Sequence, residues 1–160
     1  MLHESEYFYL ERCIALAKEA LEAGDEPFGS VLVDFKGSIL QEDRNRIAGG
    51  DATRHPEFEL ARWAANNMSP ESRAQATVYT SGEHCPMCAA AHAWVGLGRI
   101  VYISSSQQLR QWREEMQLED PLPVTPFPVQ EVAPFVEVVG PVPPFDEQVR
   151  ALHFARHQKN

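Results

Sequence analysis

Apolar and polar positions along the chain predict helices and strands in alternation. Leu10, Ile14, Ala17 and Leu21 recur at helical spacing, which marks an amphipathic helix over about residues 4–23 with Gly24 as its stop. Phe28–Val33 reads as a strand. The turn Asp34-Phe35-Lys36-Gly37 leads into a second strand near Ser38–Gln41, so the two form a hairpin. A loop carrying Gly49-Gly50-Asp51 precedes a helix over HPEFELARWAAN, in whose first turn Pro56 is tolerated because the N–H there is unpaired anyway. Ala76–Thr80 reads as a buried strand. Pro86 opens a helix to about Val95, ended by Gly96 or Gly98, and Arg99–Ile103 is the next strand. Ser106 is expected to cap a helix through QQLRQWREEM. Eight prolines between Asp120 and Pro144 predict extended chain there, with one edge strand at Phe135–Val139. Asp146–His157 reads as a last helix, and there is no internal repeat. A hairpin followed by alternating helix and strand predicts the α/β class, a mixed sheet with helices on both faces.

Composition narrows the picture. The 160 residues suit one domain with a real core, 44% apolar and 23% charged. No apolar run approaches the roughly 18 residues of a membrane helix. The N-terminus, MLHESEYFYLERC, carries acids where a signal peptide needs a basic region and an apolar stretch, so a cytoplasmic protein is expected. Net charge is −9, from 14 Lys and Arg against 23 Asp and Glu. The one basic stretch is the weakly basic tail ARHQKN, which counts against nucleic acid as partner or substrate. The three cysteines, an odd count, argue against a disulfide framework. Cys13 lies in the first helical pattern beside Ile14 and reads as a small buried hydrophobe.

The candidate chemistry lies in His55-Pro56-Glu57 and Cys85-Pro86-Met87-Cys88. A C-x-x-C where a loop enters a helix lets two thiolates converge on one metal, although alone it is also compatible with redox chemistry, structural zinc or no role. Only three ligands suggest themselves: His55, Cys85 and Cys88. Structural zinc sites are closed by four protein ligands, whereas three leave a position for water, the catalytic arrangement. Glu57, two residues from His55 on one helix, cannot easily ligate the same ion; it can stand beside the metal's water and carry protons.

These residues resemble the signature of the cytidine deaminase superfamily of zinc deaminases, H-x-E followed by P-C-x-x-C. The similarity extends over roughly residues 10–105 and is nearest the guanine, cytosine and transfer-RNA adenosine deaminase branch. EPFGSVLVD, with Phe28, resembles the family's first strand and TSGEHCPMC its metal loop. Asn45, in RNR, falls where the family keeps a substrate-binding Asn. Asp51-x-Thr53 precedes the His as in guanine and transfer-RNA adenosine deaminases, and Trp94 sits where guanine deaminases carry Trp. Two positions depart from the pattern: Pro56 replaces the family's small residue, and His84 replaces the Pro before the first Cys. The resemblance implies a three-layer α/β/α sandwich around a five-stranded mixed sheet, zinc as the only cofactor, and a homodimer. It further implies that Glu57 takes a proton from the metal's water, delivers it to the ring nitrogen and helps ammonia leave. The expected substrate is a small heterocyclic amine, a free base such as guanine or cytosine, or an aminotriazine. The alternatives are a transfer-RNA adenosine deaminase and a zinc-stabilised module without catalysis.

Around that centre several residues carry two readings. Asn45 bonds substrate or caps a turn. Pro56, lacking an N–H, denies the substrate a backbone donor or only rigidifies the helix start. Glu83 holds backbone N–H groups or, like Phe28, borders the substrate; His84 is an acid or base near the metal or a solvated loop residue, and His92 packs on the Cys88 face of its helix. Trp94 and Trp63 belong to core or interface, or to a substrate wall. Phe154, on the last helix, stacks on the ring or packs in the core.

Overall fold

The computed structural model describes residues 2–158; the last two residues of the basic tail lie outside them. A five-stranded sheet has the order β2-β1-β3-β4-β5, built from β1 (Gly29–Val33), β2 (Ile39–Arg44), β3 (Thr77–Gly82), β4 (Ile100–Ser104) and β5 (Val138–Val139). β1 is antiparallel to β2 and β3, while β4 is parallel to β3 and β5, so the sheet is mixed. Helices α1 (Glu4–Glu22), α5 (Ser106–Glu115) and α7 (Phe145–His157) lie on one face. Helices α2 (Pro56–Asn67), α4 (Pro86–Trp94) and α6 (Val129–Val132) lie on the other, giving three layers. No described helix is long and apolar enough to cross a membrane.

Alternation along β1 and β3 feeds both layers. Val31, Val33 and Tyr79 join Leu10, Cys13 and Leu16 beneath α1, while Leu32 and Val78 join Leu60, Ala61 and Ala64 beneath α2. Gly29 lets α1 come this close: a Cβ there would lie 2.4 Å from the Leu16 Cβ and 2.6 Å from the Cys13 carbonyl oxygen.

Five elements differ from expectation. β2 runs on to Arg44 because it pairs with β1 back to Gly29. A short helix α3 (Pro70–Gln75), capped by the Ser69 hydroxyl, follows α2; six residues are too few for periodicity to register. Ser105, not Ser106, caps α5. Its Oγ accepts from the Gln108 N–H at 3.0 Å and its own N–H donates to Gln108 Oε1 at 2.8 Å, while Ser106 turns to Glu83. Within the proline-rich segment, Val129–Val132 closes a helical turn, and the edge strand shrinks to Val138–Val139 with Phe135 fully exposed.

Candidate active site

Two helices begin at one point. His55 is the N-cap of α2 and Cys85 the N-cap of α4, and each is followed by a proline whose fixed φ suits the first helical position. Cys88 lies one turn into α4. The positive ends of both helix dipoles therefore face the ligands and favour thiolate.

His55 Nδ1 lies 3.4 Å from Cys85 Sγ and 3.7 Å from Cys88 Sγ, and the two sulfurs are 3.5 Å apart. Zn–S bonds of about 2.3 Å and a Zn–N bond of about 2.0 Å give tetrahedron edges of roughly 3.5–3.8 Å. The three donors thus span one face of a zinc tetrahedron and leave the fourth vertex open. They are the one group of three such donors among the described residues. Contact with the Cys88 thiol and, next, with His55 pushes Cys85 down to about 4, against the effect of burial. The contact with Cys85 and burial push Cys88 up. Zinc binding at such a pair requires both thiols as thiolates.

Glu57, in the first turn of α2, is 6% exposed. Its Oε1 lies 2.8 Å from Thr80 Oγ1 and 3.1 Å from Ser30 Oγ, hydroxyls that are themselves 2.8 Å apart. Burial raises its pKa, and the Thr80 hydrogen bond works against the rise.

Asn45 is buried beside Phe28, whose carbonyl accepts the Asn45 N–H at 3.0 Å. Its Oδ1 accepts from the Ile47 N–H at 3.2 Å, the turn-capping arrangement, which commits the oxygen and leaves the amide nitrogen as donor. Asp25 fixes this loop: it accepts from the Ala48 N–H at 2.7 Å and pairs with Arg44 at 2.9 Å, and Arg44 also donates to the Asn45 carbonyl. Pro56 is buried at the start of α2.

Glu83 holds backbone N–H groups on two elements, Ser106 on α5 at 2.9 Å and Val129 on α6 at 2.8 Å. His84 is not a solvated loop residue. Both its ring nitrogens are sealed from solvent without partners, its ring meets His92 edge-on at 5.3 Å, and burial keeps it neutral. A residue so enclosed does not line an open pocket. His92 packs, donating from Nε2 to the Gly98 carbonyl at 2.7 Å.

Trp94 is not brought to this centre. It stands at the far end of α4, about 12 Å along the helix from Pro86, and is 89% exposed on the wall of a surface groove with Leu97, Val132 and Phe135. Trp63 packs half-buried against the core under α2. Phe154 packs against the α1-side core with the Arg150 guanidinium 4.0 Å above its ring. Its neighbour His153 is the α7 residue that meets Phe28, edge-on at 5.0 Å.

Sequence reasoning passed over Ser30, Thr80, Asp25 and Arg44, and gave His153 no role. Ser30 carried a signal: it is the one hydroxyl in the otherwise apolar run of β1, GSVLV. Arg44 and His153 stood out by no pattern.

Residues 3–104 match the family described as the cytidine and deoxycytidylate deaminase zinc-binding region. The chain is similar to a probable cytosine deaminase of Schizosaccharomyces pombe, 27% identical over 89% of this chain and 91% of that one. It is 35% identical to a guanine deaminase of Bacillus subtilis over 64% of each chain. It is 32% identical to a tRNA-specific adenosine deaminase of Agrobacterium fabrum over 59% of this chain and 62% of that one. The fold matches a solved guanine deaminase from Nitrosomonas europaea with a TM-score of 0.66 at 17% identity, covering 98% of this chain and 86% of that one. Matched across its metal-binding half and carrying the three zinc donors in place, this chain belongs to the cytidine and deoxycytidylate deaminase zinc-binding family and is a zinc-dependent hydrolytic deaminase.

Proposed function

We propose that the substrate is a free nucleobase or nucleobase-like heterocycle of guanine, cytosine or aminotriazine type, that His55, Cys85 and Cys88 hold the zinc, and that Glu57 moves the protons. The observation that carries this reading is the enclosure of the site by the chain's own elements. Glu57 and Asn45 are nearly buried, and His153 of the C-terminal helix packs against Phe28. An enclosed site suits a small ring better than a nucleotide within a folded RNA, and a net charge of −9 gives a polyanion little to hold. The similarity to the probable cytosine deaminase runs over 89% of the chain, against 59% for the tRNA-specific deaminase of Agrobacterium fabrum.

When bound, zinc supplies a Lewis acid that eases deprotonation of water. The chain supplies the rest. With Oε1 engaged by Thr80 and Ser30, Glu57 works through Oε2: it accepts one proton from the attacking water and passes it to the ring nitrogen, then accepts that water's second proton and passes it to the departing amine. Its raised pKa matches it to carrying a proton nearer neutrality than an ordinary carboxylate would. Asn45, its oxygen committed, donates from Nδ2 to an acceptor on the ring. Phe28 supplies a wall, and enclosure keeps bulk water out. Three free thiols suit a reducing cytoplasm, and the family resemblance supports a homodimer.

The test is a panel of amino-heterocycles assayed for ammonia release with wild type and Glu57→Gln. The variant should keep its zinc and fold and lose at least about 10²-fold in kcat. Turnover within a few-fold of wild type would remove Glu57 from the role. Release from transfer RNA alone would replace the small ring with the adenosine reading.

A further inference from the structure

We propose that Ser30 and Thr80 are positioning residues for Glu57, a pair of buried hydroxyls that holds its Oε1 and reorients each time the carboxyl gains or loses a proton. The inference rests on the reading of Glu57 as proton carrier and adds the groups that make the carrier work.

Ser30 and Thr80 are direct partners in the β1–β3 register and project from the sheet toward α2. Both are fully buried. The next residues on that face are Leu32 and Val78, which pack under α2. Two hydroxyls in an apolar row are costly unless bonded, and here they converge on one carboxylate oxygen.

Counting protons shows what the pair does. Two hydroxyl protons face three acceptors: Glu57 Oε1, Thr80 Oγ1 and the Gly82 carbonyl. With Glu57 ionised, Thr80 donates to Oε1 across 2.8 Å and Ser30 donates to the same oxygen across 3.1 Å. With the proton on Oε2, Oε1 is a weaker acceptor. Thr80 then turns to the Gly82 carbonyl at 3.0 Å and Ser30 turns to Thr80 Oγ1 at 2.8 Å. Every distance needed for both arrangements is present in one set of heavy-atom positions, so only hydroxyl hydrogens move. Backbone N–H donors could not do this, because they point one way and stabilise the carboxylate alone. A carrier that must be ionised and neutral within one turnover needs donors that can withdraw. Crowding Oε1 between the hydroxyls also leaves Oε2 as the oxygen that exchanges the proton.

The experiment measures zinc content, kcat and KM for Thr80→Val, Ser30→Ala, their double variant and Thr80→Ser, each also in a Glu57→Gln background. Thr80→Val removes the hydroxyl at nearly constant volume. The expected result is full zinc, KM within a few-fold, and kcat lowered about 10- to 100-fold, the usual cost of losing an outer-shell partner. Thr80→Ser should recover most of the loss, and neither single variant should lower kcat further once Glu57 is Gln. If Thr80→Val folds poorly, Ser30→Ala, which deletes one oxygen, carries the same comparison. A zinc-replete double variant with kcat within twofold of wild type would overturn the proposal while leaving Glu57 in place. So would an equal loss of kcat in the Glu57→Gln background. Full activity of Glu57→Gln itself would remove both this proposal and the reading beneath it.

Discussion

At the residue scale, Pro56 has the sharpest consequence. It occupies the helix start between His55 and Glu57, the proposed proton carrier, where any other residue would offer an N–H. A ring acceptor placed against it lacks a partner, at about 1–3 kcal/mol, or roughly 5- to 150-fold in affinity. His84, sealed against His92, cannot supply the missing donor. Asn45 can, through Nδ2, but from the loop that Asp25 and Arg44 hold. The enzyme should therefore favour a ring that presents an amino group or a C–H to Pro56. Pro56→Ala should gain cytosine or guanine deamination relative to the preferred substrate, read as a ratio of kcat/KM values. A parallel change for all substrates would reduce Pro56 to a helix-start residue.

At the scale of elements, helix α1 is fastened at its N-terminal end by a buried polar knot. Tyr79 of β3 donates to Glu6 Oε1 at 2.7 Å, Arg99 just before β4 pairs with the same oxygen, and the His3 N–H donates to Oε2. Burial pushes the Glu6 carboxyl up, but these bonds outweigh it, so its pKa in the folded chain lies below the ordinary value. Stability from Glu6 is thus fully present above the unfolded value of about 4.3 and is lost as pH falls through the lower folded value. Glu6→Gln should cost about 1–3 kcal/mol at neutral pH, and the gap from wild type should narrow in acid, where the native side chain is itself neutral. Denaturant melts at pH 7 and pH 3 measure this; a gap that stays constant would contradict it. The same scale shows what was legible beforehand. α1, α2, α4 and the strands announced themselves through spacing and terminal Pro or Gly, and the zinc donors through residue chemistry. The partners of Glu57 did not, because Ser30 and Thr80 are fifty residues apart and meet only through strand register. α6 was hidden by prolines on either side, since a single turn can form where Pro128 starts it and Pro134 ends it.

At the scale of the molecule, chemistry is concentrated at one end of the sheet. The rows facing α2 are polar where β1 begins and β3 ends, and turn apolar below, so Ser30, Thr80 and Glu57 stand above Leu32, Val78 and Leu60. The three metal donors lie where α2 and α4 begin, residue 55 beside residues 85 and 88. Between those anchors lies α3, none of whose residues is buried. For anyone wishing to add cargo to this enzyme, that stretch is a handle on a clasp. Its ends are held by α2 and β3, and lengthening so short a connection by about 30 residues costs roughly 1–2 kcal/mol in closure entropy. A flexible tag of about 30 residues spliced into α3 should leave zinc content unchanged and kcat within a few-fold, whereas a loss of zinc would show that α3 itself sets the spacing of the ligands.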